Sequence, residues 1–199
     1  MAPASVIRPV TALVMCALAL AVGILLAATV TARPRVEAPT RAFAWAICDG
    51  FDFPVGPPDA DGYYDAQPFA TAEHLGSDWN GNGGGDSDFG DSVHAVATGR
   101  VVFAADVGGG WGNVVRIVHR CDDVEVESLY AHLAAIETVV GARVERGARI
   151  GTIGDAGGQY FAHLHFELRA APGLPIGGGY GPATDTHVDP TAFILAHRP

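Results

Sequence analysis

The sequence predicts an all-β domain of antiparallel strands, preceded by an apolar N-terminal segment and a short tether. From Val93 onward, short runs rich in Val and Ile are broken by glycine: VHAVA, RVVFAA, NVVRIVH, VEVESLYAHL, ARIGTIG and AHLHFEL. Several alternate in polarity, the period of a half-buried strand, and their spacing suits hairpins. No long amphipathic helix stands out. The final stretch TAFILAHRP reads either as a short turn of helix or as a last strand. With 199 residues, 49% of them hydrophobic, and 26 Gly, the chain is long enough for one domain with a real core.

Taken in order, Val10 to Val30 carry no charge over 21 positions, with Arg8 before them and Arg33, Pro34 and Arg35 after. This is an export segment over residues 1–32. Its length approaches the ~20 residues that span a bilayer, which points to a retained anchor. Val30-Thr31-Ala32 is a small-x-small ending that a signal peptidase could cleave, which points the other way. Both stay open. Cys16 follows Met15 with little apolar sequence ahead of it, so it reads as filler within the apolar run and not as a lipid attachment site. Residues 33–45 are Pro- and Arg-bearing without periodicity and read as a tether. The globular part occupies 46–199.

Composition removes several classes of function. Beyond residue 32, eleven arginines face twenty-two acidic residues, so the exported part is strongly acidic and nucleic acid is excluded as a partner. Lysine is absent from the sequence, which removes Schiff-base and P-loop lysines. Cys48 and Cys121 are the thiols outside the apolar segment, and an oxidising compartment suits a bridge between them.

Three short stretches carry chemistry: HLGSD with His74 and Asp78, YAHL with His132, and HLHFEL with His163 and His165. On a strand, His163, His165 and Glu167 share one face and Leu164, Phe166 and Leu168 the other, so the apolar trio fixes the strand and the polar trio lines a surface or cleft. Glu167 on that face reads either as an orienting partner of a histidine or as a solvated carboxylate. Four residues of regular strand would hold His74 and Asp78 roughly 13 Å apart, too far for one ion, so the chain must curl at Gly76. Adding one histidine of the HxH pair then gives three N and O ligands with an open fourth position, the pattern of a catalytic zinc site. The remaining imidazoles, with unperturbed pKa values near ~6.5, suit proton transfer.

HLGSD, YAHL and HLHFELR, in this order, resemble the lysostaphin-type or LytM-domain zinc metallopeptidases. FPVG is similar to the opening of that domain, VVGARVERGARIGTIG to its hairpin and HVDPTAFI to its ending. The resemblance implies an antiparallel β-sheet groove of the duplicated-hybrid type, one Zn2+ held by His74, Asp78 and His165, and His132 and His163 as catalytic histidines. It also implies hydrolysis of peptidoglycan stem or cross-bridge peptides in the cell envelope, with membrane contact only through an uncleaved N-terminal segment. A rival from another class is a non-catalytic LytM domain that binds peptidoglycan or regulates other hydrolases. The presence of all five residues favours the enzyme.

The sequence departs from the family pattern after Asp78, where WNGNGGGDSDFGD replaces a shorter link. Asp78 to Gly83 matches the first half of a calcium-binding loop, but position twelve is Phe89, so a flexible loop at the groove edge is expected in preference to a calcium site at Asp86, Asp88 and Asp91. His94 and His119 read as packing or backbone-bonding histidines, His187 and His197 as terminal-region residues without partners at ligand spacing, and Trp111 in GGGWGN as a packing residue first, with contact to a sugar or peptide as its alternative.

Overall fold

The computed structural model describes residues 47–121, 124–182 and 185–199. The proposed export segment, with Cys16, and the tether lie outside the described residues. No helix among the described residues is long and apolar enough to cross a membrane.

Among the described residues, eleven strands form two antiparallel sheets, as the alternating runs imply. In chain order they are β1 (Tyr63–Gln67), β2 (Ser77–Gly81), β3 (Ser92–His94), β4 (Gly99–Asp106), β5 (Asn113–Cys121), β6 (Val124–Leu133), β7 (Ala135–Ile136), β8 (Arg143–Val144), β9 (Arg149–Thr152), β10 (Leu164–Arg169) and β11 (His187–Val188). The larger sheet runs β1-β2-β10-β6-β5-β4-β8, with β11 beside β10, and the smaller runs β3-β9-β7. Leu164, Phe166 and Leu168 of β10 enter the core with Tyr130, Ile117, Ile150 and Ile153, all at most 1% exposed. The apolar half of the HLHFEL alternation therefore anchors β10 at the centre of the large sheet.

The C-terminal stretch resolves to a helix, α1 (Pro190–Ala196). Asp189 caps it by accepting from the Ala192 amide at 3.0 Å, and Pro190 starts it where no amide donor is needed. VVGARVERGARIGTIG is not one paired hairpin: β8 joins β4 in the large sheet, whereas β9 joins β3 and β7 in the small one. Cys48 and Cys121 form a disulfide that ties the start of the domain to the end of β5. Beside it the Cys48 amide donates to the Arg120 carbonyl at 2.8 Å.

The acidic, glycine-rich stretch differs from the expected loose link. Trp79, Asn80 and Gly81 belong to β2, and only 82–91 form the loop. Its three carboxylates serve separate groups. Asp86 Oδ1 accepts from the Ala162 amide at 2.9 Å, the buried Asp88 accepts from the Gly81 amide at 2.8 Å, and Asp91 accepts from the Tyr63 hydroxyl at 2.7 Å. The loop is pinned to β1, β2 and the approach to β10.

Candidate metal centre

β10 supplies the middle of the site, and its neighbours bring the rest. In the β2–β10 ladder His165 is paired with Asp78, and in the β6–β10 ladder it is paired with Ala131, the residue before His132. The chain bends at Leu75 and Gly76, and this returns His74 to the same side as Asp78. Gly76 serves by its lack of a side chain, since a Cβ there would collide with the Phe166 carbonyl oxygen. Positive φ plays no part at that position, contrary to the simplest reading of a glycine in a bend. His132 lies in a β-bulge: Ala131 and His132 oppose Val114 alone between the pairs Asn113–Leu133 and Val115–Tyr130. Its φ is 62°, a left-handed conformation that a side chain makes unfavourable.

Each of the four histidines has one ring nitrogen committed, which fixes what the other can do. His74 Nδ1 donates to the Gln67 carbonyl at 2.9 Å, His163 Nδ1 to the Phe161 carbonyl at 2.8 Å and His132 Nδ1 to the Trp111 carbonyl at 3.3 Å. His165 Nε2 donates to Glu167 Oε1 at 3.0 Å. In the neutral rings, the opposite nitrogens therefore offer lone pairs. Two of these, His74 Nε2 and His165 Nδ1, face each other at 3.0 Å, and Asp78 Oδ1 lies 3.3 Å from the first and 2.9 Å from the second. Three electron-rich atoms at such separations repel unless a cation lies among them. A tetrahedral zinc with ligands at about 2.0–2.1 Å has ligand–ligand edges of about 3.3 Å, so the triangle is close to the size that ion requires. The donor set fits zinc: two imidazoles, one carboxylate, no thiolate, and a face left open to the cleft.

The electrostatics favour positive charge at the same spot. Burial opposes protonation of His165, but its hydrogen bonds to Asp78 and Glu167 outweigh that and raise its pKa to about 9. Burial would raise the Asp78 carboxyl, yet the His165 and His74 rings beside it, when they carry a second proton, hold it well below the usual carboxylate range. Glu167 behaves alike: burial is outweighed by hydrogen bonds from His165 and His187 and by the charges of His165 and Arg169. His132 goes the other way. Burial, reinforced by the neighbouring His163 and His165 rings, pushes it down to about 3.

The open side is a cleft of about 460 Å³ lined by Asp78, His132, His163 and His165 together with Gln67, Trp111, Tyr160 and Tyr180. All five residues singled out from the sequence thus meet in one place. The His132 and His163 rings are 4.7 Å apart, and His163 Nε2 is 3.9 Å from Asp78 Oδ1. Other readings change. Glu167 is fully buried and bonded, so it is not a solvated strand carboxylate. His187 is not a bystander, because its Nε2 lies 3.5 Å from Glu167 Oε2. Trp111 forms a wall of the cleft, with its ring 5.3 Å from that of His165 and its Nε1 donating to the Gly177 carbonyl at 3.1 Å.

Sequence reasoning missed Tyr160, Tyr180, Gln67 and Arg169. Tyr160 lies against both His132 and His163, and Tyr180 lies against His74. Both stand in glycine-rich loops that carry no periodic signal. Arg169 extends the alternation of His163, His165 and Glu167, which was the available clue. His119 matches its expected packing role: it is buried between the Thr98 carbonyl and Ser128 Oγ.

Comparisons with known proteins place the chain in a family and a fold. The model of Peptidase family M23 matches residues 73–190. Cell division protein DipM of Caulobacter vibrioides is 34% identical over 83 residues, covering 42% of this chain and 13% of DipM. Murein hydrolase activator NlpD of Escherichia coli is 35% identical over 99 residues, covering 49% of this chain and 25% of NlpD. The matched part is therefore a quarter or less of either relative. A putative peptidase M23 from Pseudomonas aeruginosa superposes with TM-score 0.55 at 25% identity, covering 77% of this chain and 54% of the other. The solution structure of lysostaphin does so with TM-score 0.50 at 26% identity, covering 67% and 51%. Since the family match takes in more than half of the chain and all three histidine-bearing stretches, the chain belongs to peptidase family M23.

Proposed function

We propose that the protein is a zinc-dependent metalloendopeptidase of the cell envelope that hydrolyses peptide bonds in peptidoglycan stem or cross-bridge peptides. The observation that carries this reading is the convergence of His74 Nε2, Asp78 Oδ1 and His165 Nδ1 within 3.3 Å of one another at the base of an open cleft. These three atoms are the proposed ligands. A zinc ion bound there supplies a Lewis acid for the scissile carbonyl and lowers the pKa of water toward about 7.

The chain's own residues handle the protons. With Nδ1 of His132 and His163 held by backbone carbonyls, Nε2 of each is the free nitrogen, and both rings line the cleft. One Nε2 takes the proton of the attacking water. The other, when protonated, donates to the oxyanion, and the leaving amine receives its proton from this pair. Glu167 holds the His165 tautomer from behind. Tyr160 and Trp111 flank the histidines and suit an extended peptide laid along the groove.

The likeness to the murein hydrolase activator NlpD supports a second reading, a domain that activates other wall hydrolases. The complete five-residue set favours hydrolysis. The test is incubation of the purified protein with isolated walls and defined muropeptides, with and without a chelator, while following released amino groups. Chelator-sensitive release is expected. If protein loaded with one equivalent of zinc releases nothing from any wall preparation but stimulates a separate wall hydrolase, the activator reading replaces the peptidase.

A further inference from the structure

Behind the cleft, β10 presents His165, Glu167 and Arg169 on one face, and all three are buried at 4%, 0% and 0% exposure. A guanidinium sealed from water needs acceptors for its donors, because unpaired buried charge is strongly destabilising. Arg169 finds them in two directions. Toward the site, Nε donates to Glu167 Oε2 at 2.7 Å, and the other oxygen of that carboxylate holds His165 Nε2. Away from the site, Nη1 donates to the Pro175 carbonyl at 3.0 Å and Nη2 to the Ile176 carbonyl at 2.8 Å.

A second ion pair grips the same loop without touching the site. Arg116 donates to Glu127 Oε1 and to the Leu174 carbonyl, each at 2.7 Å, while Glu127 Oε2 accepts from the Gly173 amide at 3.0 Å. Past these anchors the loop becomes the wall of the cleft. The Gly177 carbonyl accepts from Trp111 Nε1, and the Gly179 carbonyl accepts from the Leu75 amide beside His74. Gly179, with φ 74°, lies against the Trp111 ring and His165.

We propose that Arg169 is a positioning residue that couples the wall loop 173–181 to the His165 imidazole through Glu167. The coupling rests on the reading of His165 as a metal ligand. A lysine cannot replace Arg169, because one ammonium group lacks the planar fork that reaches a carboxylate and two carbonyls at once. Arg116 is the internal control, since it shares the loop but not Glu167.

The test uses the full chain with Arg169→Lys, Arg116→Lys and Glu167→Gln. Zinc affinity is measured by chelator competition. Exchange of the Trp111 indole N–H is followed by NMR, with the signal assigned through Trp111→Phe. Arg169→Lys is expected to weaken zinc binding by about 10–100-fold and to speed indole exchange. Arg116→Lys is expected to speed indole exchange while zinc affinity stays within about twofold of the parent, because no ligand partner is lost. Glu167→Gln approaches the coupling from the site side, and it should speed indole exchange too, even if Arg169→Lys does not fold. Unchanged zinc affinity in Arg169→Lys overturns the proposal. So does an equal loss in Arg116→Lys, or slow indole exchange in Glu167→Gln. If the parent protein binds no zinc, the metal reading fails by itself, and the indole exchange of the three variants still decides whether the loop depends on Arg169 and Glu167.

Discussion

Asp78 and His165 face each other as partners across the β2–β10 ladder, with Asp78 Oδ1 2.9 Å from His165 Nδ1. A carboxylate and an imidazole opposed in this way are placed by backbone pairing and need no special loop. His74 is then brought to the pair by the bend at Leu75 and Gly76. If Asp78 and His165 are ligands as proposed, two of the three ligand atoms are set by strand register, and a site preformed in this way binds without paying for reorganisation.

Zinc should therefore stabilise the fold by mass action. At a free concentration about 100 times Kd the expected gain is about 2.7 kcal/mol, and Tm should rise by roughly 5–10 °C. Asp78→Ala should abolish the rise, because the remaining imidazoles lose their shared carboxylate. Scanning calorimetry with and without zinc measures this. An undiminished shift in Asp78→Ala would remove Asp78 from the ligand set.

Gly76 carries a prediction of its own. Gly76→Ala pushes a Cβ into the Phe166 carbonyl, a backbone atom that cannot swing aside, so β2 and β10 must separate. A loss of about 1–3 kcal/mol in stability is expected from such overpacking, with zinc affinity falling as Asp78 and His165 move apart. Urea unfolding together with chelator competition tests both. If stability falls but affinity does not, ligand placement does not depend on this contact.

Much of this architecture was legible because β10 follows a strict period of two: Leu164, Phe166 and Leu168 read as core, and they are core. Other parts were hidden for definite reasons. YYDAQ of β1 and SDWNG of β2 carry no β-branched residue, and β2 becomes a strand through pairing on both sides, with β1 and with β10. The polar face of β10 was legible as a face, but alternation does not tell whether water or another segment covers it. GLPIGGGYG covers it, and a glycine-rich loop gives no sign of its destination. The burial of Glu167 and Arg169 was invisible for that reason, and so was the Gly177 carbonyl of the same loop that holds Trp111 in the cleft wall.

His132 is held at φ 62° inside the β5–β6 bulge, which for a residue with a Cβ costs on the order of 1 kcal/mol. His132→Gly should therefore be more stable than His132→Ala by about 1 kcal/mol, although both lose the imidazole. Equilibrium unfolding of the two variants makes the comparison with side-chain chemistry removed from each. Equal stability would mean that the bulge relaxes when the histidine is absent.

A last prediction concerns pH and a histidine away from the cleft. His119 Nδ1 lies 3.2 Å from the Thr98 carbonyl, which only accepts, so the proton sits on Nδ1 and Nε2 must accept from Ser128 Oγ at 2.7 Å. Ser128 has then used its proton, so the Tyr130 hydroxyl, 3.1 Å away, donates to it while accepting from the Val96 amide at 3.0 Å. The relay is closed, buried and neutral. Burial pushes the His119 pKa down to about 4, against about 6.5 for an unfolded histidine. Between those values the unfolded chain binds the proton and the folded one does not. The contribution is thus fully present above pH ~6.5 and is lost as pH falls toward ~4, to a total of about 3 kcal/mol. His119→Asn keeps a donor for Thr98 but cannot titrate. Its stability is expected to start lower at pH 7.5 and to fall less steeply than that of the parent down to about pH 4.5. Guanidinium unfolding across that range measures the difference, and parallel slopes in the two proteins would show that His119 is not the group that takes up the proton.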